Sequence, residues 1–235
     1  MSTPSNITLH YLNNSRAQRI IWLLDELDIK FDLKRYERGP DMRAPKELKL
    51  VHPLGKSPVI TDGDKTIAES GAIVDYIVDT YGAGRLKPAA GTNEAIQYSH
   101  WLHFAEGSLM FPLLMTLVFG STVKQSPFFV RPLVSGISSA VHSKFIDPEL
   151  KTLFDYIEKH LEVNEYFTGS EFTAADIQMT FPLEAALGRA KEFMGPKTIA
   201  FIEKMHARPA YQQALKDTPD YAYAKVKPEA STSNL

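Results

Sequence analysis

The stretch from His52 to Ser70 reads HPLGKSPVITDGDKTIAES, and it constrains the fold more than any other part of the chain. Val59-Ile60 and Ile67-Ala68 are short apolar runs bounded by turn formers, with Asp62-Gly63-Asp64 between them, so they predict a β-hairpin. Ser57 precedes a proline and is therefore held extended, which leaves its backbone N–H and C=O available to an added strand. Pro58 marks a position where a cis bond is admissible. A helix opens at Ser70 and keeps Ala72, Ile73, Val74, Ile77 and Val78 on an apolar face as far as Gly82, with Ser70 as its expected cap.

One rim of this segment gathers acceptors and donors for a small zwitterion. The Glu69 carboxylate suits an ammonium group. The Ser70 hydroxyl and the first free N–H groups of its helix suit a carboxylate. An anion the size of a tripeptide is the expected ligand.

Upstream, Ile7 to Leu12 alternates apolar and polar residues and predicts a strand, followed by a turn and cap at Asn13-Asn14-Ser15. Arg16 to Leu27 predicts a helix that buries one face through Ile20, Ile21, Leu23, Leu24 and Leu27. A second strand near Phe31 to Arg35 then requires a right-handed parallel crossover. With a helix at Pro45 to Leu50, the hairpin and the Ser70 helix, the order is βαβαββα, a thioredoxin-like α/β domain over residues 1–83. Residues 84–92 are rich in Gly, Pro and Ala and predict a linker.

Residues 93–224 lack strand alternation and predict an all-α domain. Ala95, Tyr98, Leu102, Ala105 and Leu109 set a long helix from Asn93 to about Met115. A second runs between Pro127 and His160, with interruptions expected at Pro132, Gly136 and Asp147-Pro148. Thr173-Ala174-Ala175-Asp176 has the form of a capping box, flanked by Phe172 and Ile177 as a hydrophobic staple, and its role is to nucleate a buried helix. Pro182 lies inside that helix, and two more helices are expected at Thr198 to His206 and Ala210 to Lys216. Residues 225–235 form a polar tail, whose final STSNL is only distantly similar to the SKL peroxisomal address.

Composition excludes several classes of function. A net charge of −2 and a pI near 6.4 give no general attraction to nucleic acid. With no cysteine, disulfides, thiolate metal sites and a protein thiol nucleophile are absent. The histidines show no metal-ligand spacing, and no metal is expected. The N-terminus lacks the charged region and apolar core of a secretory signal. No apolar run approaches the ~18–20 residues that span a bilayer, which predicts a cytoplasmic protein without a transmembrane segment.

HPLGKSPVI followed by AES resembles the glutathione-binding signature of cytosolic glutathione transferases. NNSRAQRIIWLLDEL resembles the first loop and helix of that family, and YFTGSEFTAADI its helical-domain capping motif. RAPKELKLVHPLG and WLHFAEGSLMFPLL are similar, more narrowly, to the fungal Gtt-type transferases. The resemblance implies glutathione as co-substrate, bound by His52, Lys56, Ser57, Pro58, Glu69 and Ser70, with Lys56 and His52 meeting the glycyl carboxylate and Arg43 as a further candidate. It also implies a homodimer in which the first domain of each subunit faces the helical domain of the other.

A free thiol titrates near 8.5, and lowering that by about two units takes about 2.7 kcal/mol of preference for the thiolate. A single hydrogen bond to a charged group supplies about 1.5–3 kcal/mol, so one hydroxyl donor suffices. Ser15, four residues before Arg19, resembles the serine of Ser-type transferases. Tyr11, at the end of the first strand, resembles the tyrosine of Tyr-type members. Asn14 offers an amide donor and Arg16 a positive charge. As structural alternatives, Ser15 caps its helix, Tyr11 packs between sheet and helix, Asn14 holds the turn and Arg16 is solvated.

For the second substrate, a hydrophobic electrophile, the resemblance implies a cleft between the domains with Phe104, Met110, Phe111, Met115 and Phe119 as candidates. Residues of these types at helical spacing belong more often to a core, so one or two are expected at the pocket. The expected activity is detoxifying conjugation of the glutathione thiolate. A glutathione-dependent peroxidase or disulfide reductase, and a non-enzymatic ligand carrier, are the rival readings.

Overall fold

The structure is a computed structural model and describes residues 5–225; the polar tail beyond them, STSNL included, lies outside the described residues. The first domain runs β1 (Ile7–Leu12), α1 (Gln18–Glu26), β2 (Asp32–Tyr36), α2 (Lys46–Val51), β3 (Val59–Asp62), β4 (Lys65–Ala68) and α3 (Ser70–Tyr81). This is the βαβαββα order expected from the sequence. The sheet order is β2-β1-β3-β4. β1 pairs parallel to β2 with Leu9 opposite Leu33, and antiparallel to β3 with Leu9 opposite Ile60. The β3–β4 hairpin turns through Gly63-Asp64, where Gly63 takes φ +59, a conformation that costs glycine nothing.

α1 departs from its sequence expectation in two ways. It begins at Gln18, after an irregular turn through 13–17, so its N-cap is Ala17 and not Ser15. It is also buried on every side: Trp22, Arg19 and Gln18 are as enclosed as Ile20, Ile21, Leu23 and Leu24. The apolar face packs on the sheet, and helices of the second domain cover the rest.

That second domain contains α4 (Asn93–Phe104), α5 (Met110–Gln125), α6 (Arg131–Val141), α7 (Asp147–Val163), α8 (Ala174–Leu187), α9 (Pro196–His206) and α10 (Pro209–Asp217). α8 is buried along its whole length, Asp176, Gln178, Thr180 and Glu184 included. The capping box at its start is formed: Asp176 accepts from the N–H groups of Phe167 and Thr173, both at 2.8 Å, and burial pushes its carboxyl up to about 6. Pro132 and Pro148 stand in the first turns of α6 and α7, where proline is tolerated, and do not break the helical run.

The long helix expected to end near Met115 continues to Gln125. It passes through a π-helical turn at Ala105–Leu109, and a second such turn, His142–Ile146, joins α6 to α7. Asn93–Gln125 is, by length and composition only, long and apolar enough to cross a membrane, a test that buried core helices also pass. Gly, Ser, Thr and Pro punctuate the stretch, so no uninterrupted apolar run reaches the length that spans a bilayer.

Candidate functional site

The end of β1, the turn before α1, α2, the β3–β4 hairpin, the start of α3 and α5 converge on a cleft of about 830 Å³. Its walls include Leu12, Arg16, Ser57, Pro58, Glu69 and Ser70 from the first domain, with Glu106 and Leu114 from the second. The Ser57–Pro58 bond is cis. Six cations, Arg16, Arg38, Arg43, Lys46, Lys49 and Lys56, stand on this lining against three carboxylates, Asp41, Glu69 and Glu106. The cleft is thus positive in a chain that is negative overall, which favours an anionic ligand.

Glu69 is exposed and has φ 70, ψ 121, outside the regions a residue with a Cβ normally occupies. Such strain is held by surrounding structure and collects at binding sites. Ser70 follows as the first residue of α3. Contrary to expectation its hydroxyl does not cap the helix, but accepts from the Arg19 guanidinium at 3.0 Å and faces the Gln178 amide at 3.5 Å. With its acceptor capacity taken from behind, the Ser70 O–H proton remains for a ligand carboxylate.

Among the candidate thiolate donors, Ser15 is buried with its Oγ 3.3 Å from Ser57 Oγ. Ser57 donates its own proton to the His10 carbonyl at 2.9 Å and accepts the Leu12 N–H at 3.1 Å. In that pair Ser15 is therefore the donor, and the Ala17 N–H fills one of its lone pairs at 3.2 Å. A thiolate approaching Ser15 would have only a neutral hydroxyl to displace. Tyr11 is buried with its hydroxyl toward Asp220, 3.4 Å away, and burial and then the Asp220 charge push that phenol well above its usual range. Asn14, at φ 50, receives the Ala222 N–H on its side-chain oxygen at 2.7 Å. Both side chains meet the segment that follows α10.

Arg16 reaches across the cleft, its Nε 2.9 Å from both Glu106 oxygens. Burial works against the Glu106 charge, yet Arg19 and Arg16 together hold its carboxyl below the usual range. Arg19 also donates to Glu106 and, at 2.7 Å, to the Gln178 carbonyl, and both arginines lie 5.2 Å from the Phe181 ring centre. Lys56 is exposed on the cleft. His52 stands outside the lining with its Nδ1 accepting the Leu54 N–H at 3.4 Å.

The expected electrophile residues are placed otherwise. Phe104 and Met110 are buried in the core, Met115 and Phe119 pack against it, and Phe111 is 63% exposed. A π-helical turn at Ala105–Leu109 separates Phe104 from the other four, so regular helical spacing counted across it does not hold. Glu106 and Leu114 take the cleft positions instead. Glu106 carried a signal that was overlooked, since it is the one carboxylate between Glu94 and Asp147. Arg19 carried none, because its partners Ser70, Gln178 and Glu106 lie far from it in sequence and two of them belong to the second domain.

A mixed thioredoxin-like sheet, an all-helical domain packed on its first helix, and a positive cleft beside a proline-preceded edge together define a two-domain, anion-binding protein. Family models of the glutathione S-transferase N-terminal domain and C-terminal domain match residues 5–79 and 137–217. Glutathione S-transferase 3 of Schizosaccharomyces pombe is 36% identical, over 97% of this chain and 90% of its own length. Glutathione S-transferase 1 of Saccharomyces cerevisiae is 33% identical over the full length of both. Among solved structures, a glutathione S-transferase from Actinobacillus pleuropneumoniae aligns with a TM-score of 0.74 and 30% identity, covering 93% of this chain and 96% of that one. The chain belongs to the glutathione S-transferase family.

Proposed function

We propose that this glutathione transferase binds glutathione along the Ser57 edge, with Glu69 taking the ammonium group, Ser70 and the start of α3 taking the adjacent carboxylate, and the basic rim around Lys56 taking the glycyl carboxylate. The Ser15 hydroxyl then stabilises the thiolate. The observation that carries this reading is the proton accounting at Ser15 and Ser57, which leaves Ser15 a donor whose present partner is a weak one. The thiolate adds to, or displaces a leaving group from, a hydrophobic electrophile held near Leu114, and orientation in the cleft supplies much of the acceleration. The molecule works as a cytoplasmic homodimer in detoxification.

The test measures conjugation of a chloronitrobenzene, hydroperoxide reduction and hydroxyethyl disulfide reduction on wild type, Ser15→Ala and Tyr11→Phe. Ser15→Ala is expected to cost about ten- to a hundredfold in conjugation near neutral pH while glutathione affinity stays within about threefold. Full activity in Ser15→Ala would remove it as the thiolate partner. Glutathione binding with all three assays at background would mark a carrier.

A further inference from the structure

From Gly107 to Ile146 the sequence contains no aspartate or glutamate, and its charged residues are Lys124, Arg131 and Lys144. In a chain of net charge −2 this is a sharp local reversal. The segment forms α5, the following turn, α6 and the π-helical turn after it. It also carries much of the exposed apolar surface: Phe128 is 82% exposed, Phe129 71%, Leu133 69% and Ile137 55%.

We propose that the tip of the α5–α6 hairpin is a docking surface for an anionic lipid bilayer. Phe128 and Phe129 pack edge to face, ring centres 5.6 Å apart, in the turn between the helices. Arg131 is fixed beside them, its guanidinium donating to the Ser126 carbonyl at 3.1 Å and 3.3 Å. Lys124, Arg131 and Lys144 are exposed, and none makes a salt bridge among the described residues. Exposed aromatics flanked by unpaired cations, with no acid among them, match the interface of a membrane bearing negative headgroups. The nearest following carboxylate, Asp147, is already engaged by His142 at 2.9 Å.

The helix does not span that membrane. Met110, Pro112 and Leu113 hold its start in the protein core, while only 39% of its most apolar 18-residue stretch is buried. From Leu114, which lines the cleft, to Gln125 the helix rises eleven residues (125 − 114), about 16 Å, so docking at the tip leaves the cleft open. Two copies joined tip to tip through a twofold axis would set Lys124 and Arg131 against themselves with no acid in the patch to pair them, which disfavours self-association there.

The test is flotation of the full chain with phosphatidylcholine vesicles holding about 30% phosphatidylserine, beside vesicles of phosphatidylcholine alone. Wild type is expected to float with the anionic vesicles and to be released in part by salt. Phe128→Ser with Phe129→Ser, and separately Lys124→Gln with Arg131→Gln, are expected to lower the bound fraction at least about tenfold. Both pairs lie outside the cleft and are expected to keep wild-type conjugation, which confirms that they fold. Wild type that stays in solution, or variants that float like wild type, would overturn the proposal. So would light scattering showing that the phenylalanine variant turns a dimer into a monomer, because the face would then belong to a second copy. Flotation needs no turnover, so its failure and failure of the catalytic reading are separate results.

Discussion

The guanidinium of Arg19 donates to the Ser70 hydroxyl at 3.0 Å from inside the contact between the two domains. The same side chain, 1% exposed, also meets the Gln178 carbonyl and the Glu106 carboxylate. A helix of the first domain thus ties the cleft-lining hydroxyl to two helical elements of the second. The pair also fixes which way Ser70 presents its proton.

Ser70→Ala is expected to raise the glutathione dissociation constant about tenfold, the effect of one hydrogen bond to a charged group. Arg19→Met is expected to lower folding stability by about 3 kcal/mol or more, since it leaves Glu106 short of one buried partner. Calorimetric titration reads the first and denaturant unfolding the second. An Arg19→Met protein as stable as wild type would show that the network does not hold the domains together.

At Glu69 the backbone and the side chain are separable. Glu69→Ala and Glu69→Gly should both weaken glutathione binding at least about tenfold, because each removes the carboxylate. Glycine accepts φ 70 without penalty and alanine does not, so Glu69→Gly is expected to be the more stable of the two by about 1 kcal/mol. An unchanged dissociation constant in both would take Glu69 out of the site.

Tyr11 is expected to matter more for stability than for turnover. Its hydroxyl faces Asp220, in the segment after α10. Tyr11→Phe should cost about 1 kcal/mol of stability and change conjugation less than about threefold. A large fall in turnover with unaltered stability would reverse that assignment.

Asp25 gives a pH dependence of determined sign. Burial, then the charges of Asp217, Glu26 and Asp28, raise its carboxyl from 3.8 to about 7, and its Oδ2 is buried without a partner. Because the folded value lies above the unfolded one, the stability this group contributes is fully present below about pH 4 and lost as pH rises through about 7. Asp25→Asn should therefore be more stable than wild type at pH 8, by on the order of 1–2 kcal/mol after allowing for solvent screening, with a much smaller difference at pH 5. Thermal melts of both proteins across that range measure it, and a gap that widens toward acid would contradict the assignment.

Local sequence determined the βαβαββα order, the hairpin turn at Gly63, the linker and the capping box at Thr173 and Asp176. Each follows from short-range causes: alternation, turn residues, capping and helical spacing all act within a few residues. Glu69, Ser70 and Ser57 were legible for the same reason, because one continuous stretch brings them to one rim. Arg19, Glu106 and Gln178 were not, since their meeting depends on two domains closing over α1. Phe104, Met110, Met115 and Phe119 pack in or against the core, and the π-helical turn that separates Phe104 from the other three is not revealed by spacing alone. Tyr11 and Asn14 were tied to Asp220 and Ala222 by contacts spanning most of the chain. Pattern within the sequence set which elements form; packing between distant elements decided which side chains face the cleft.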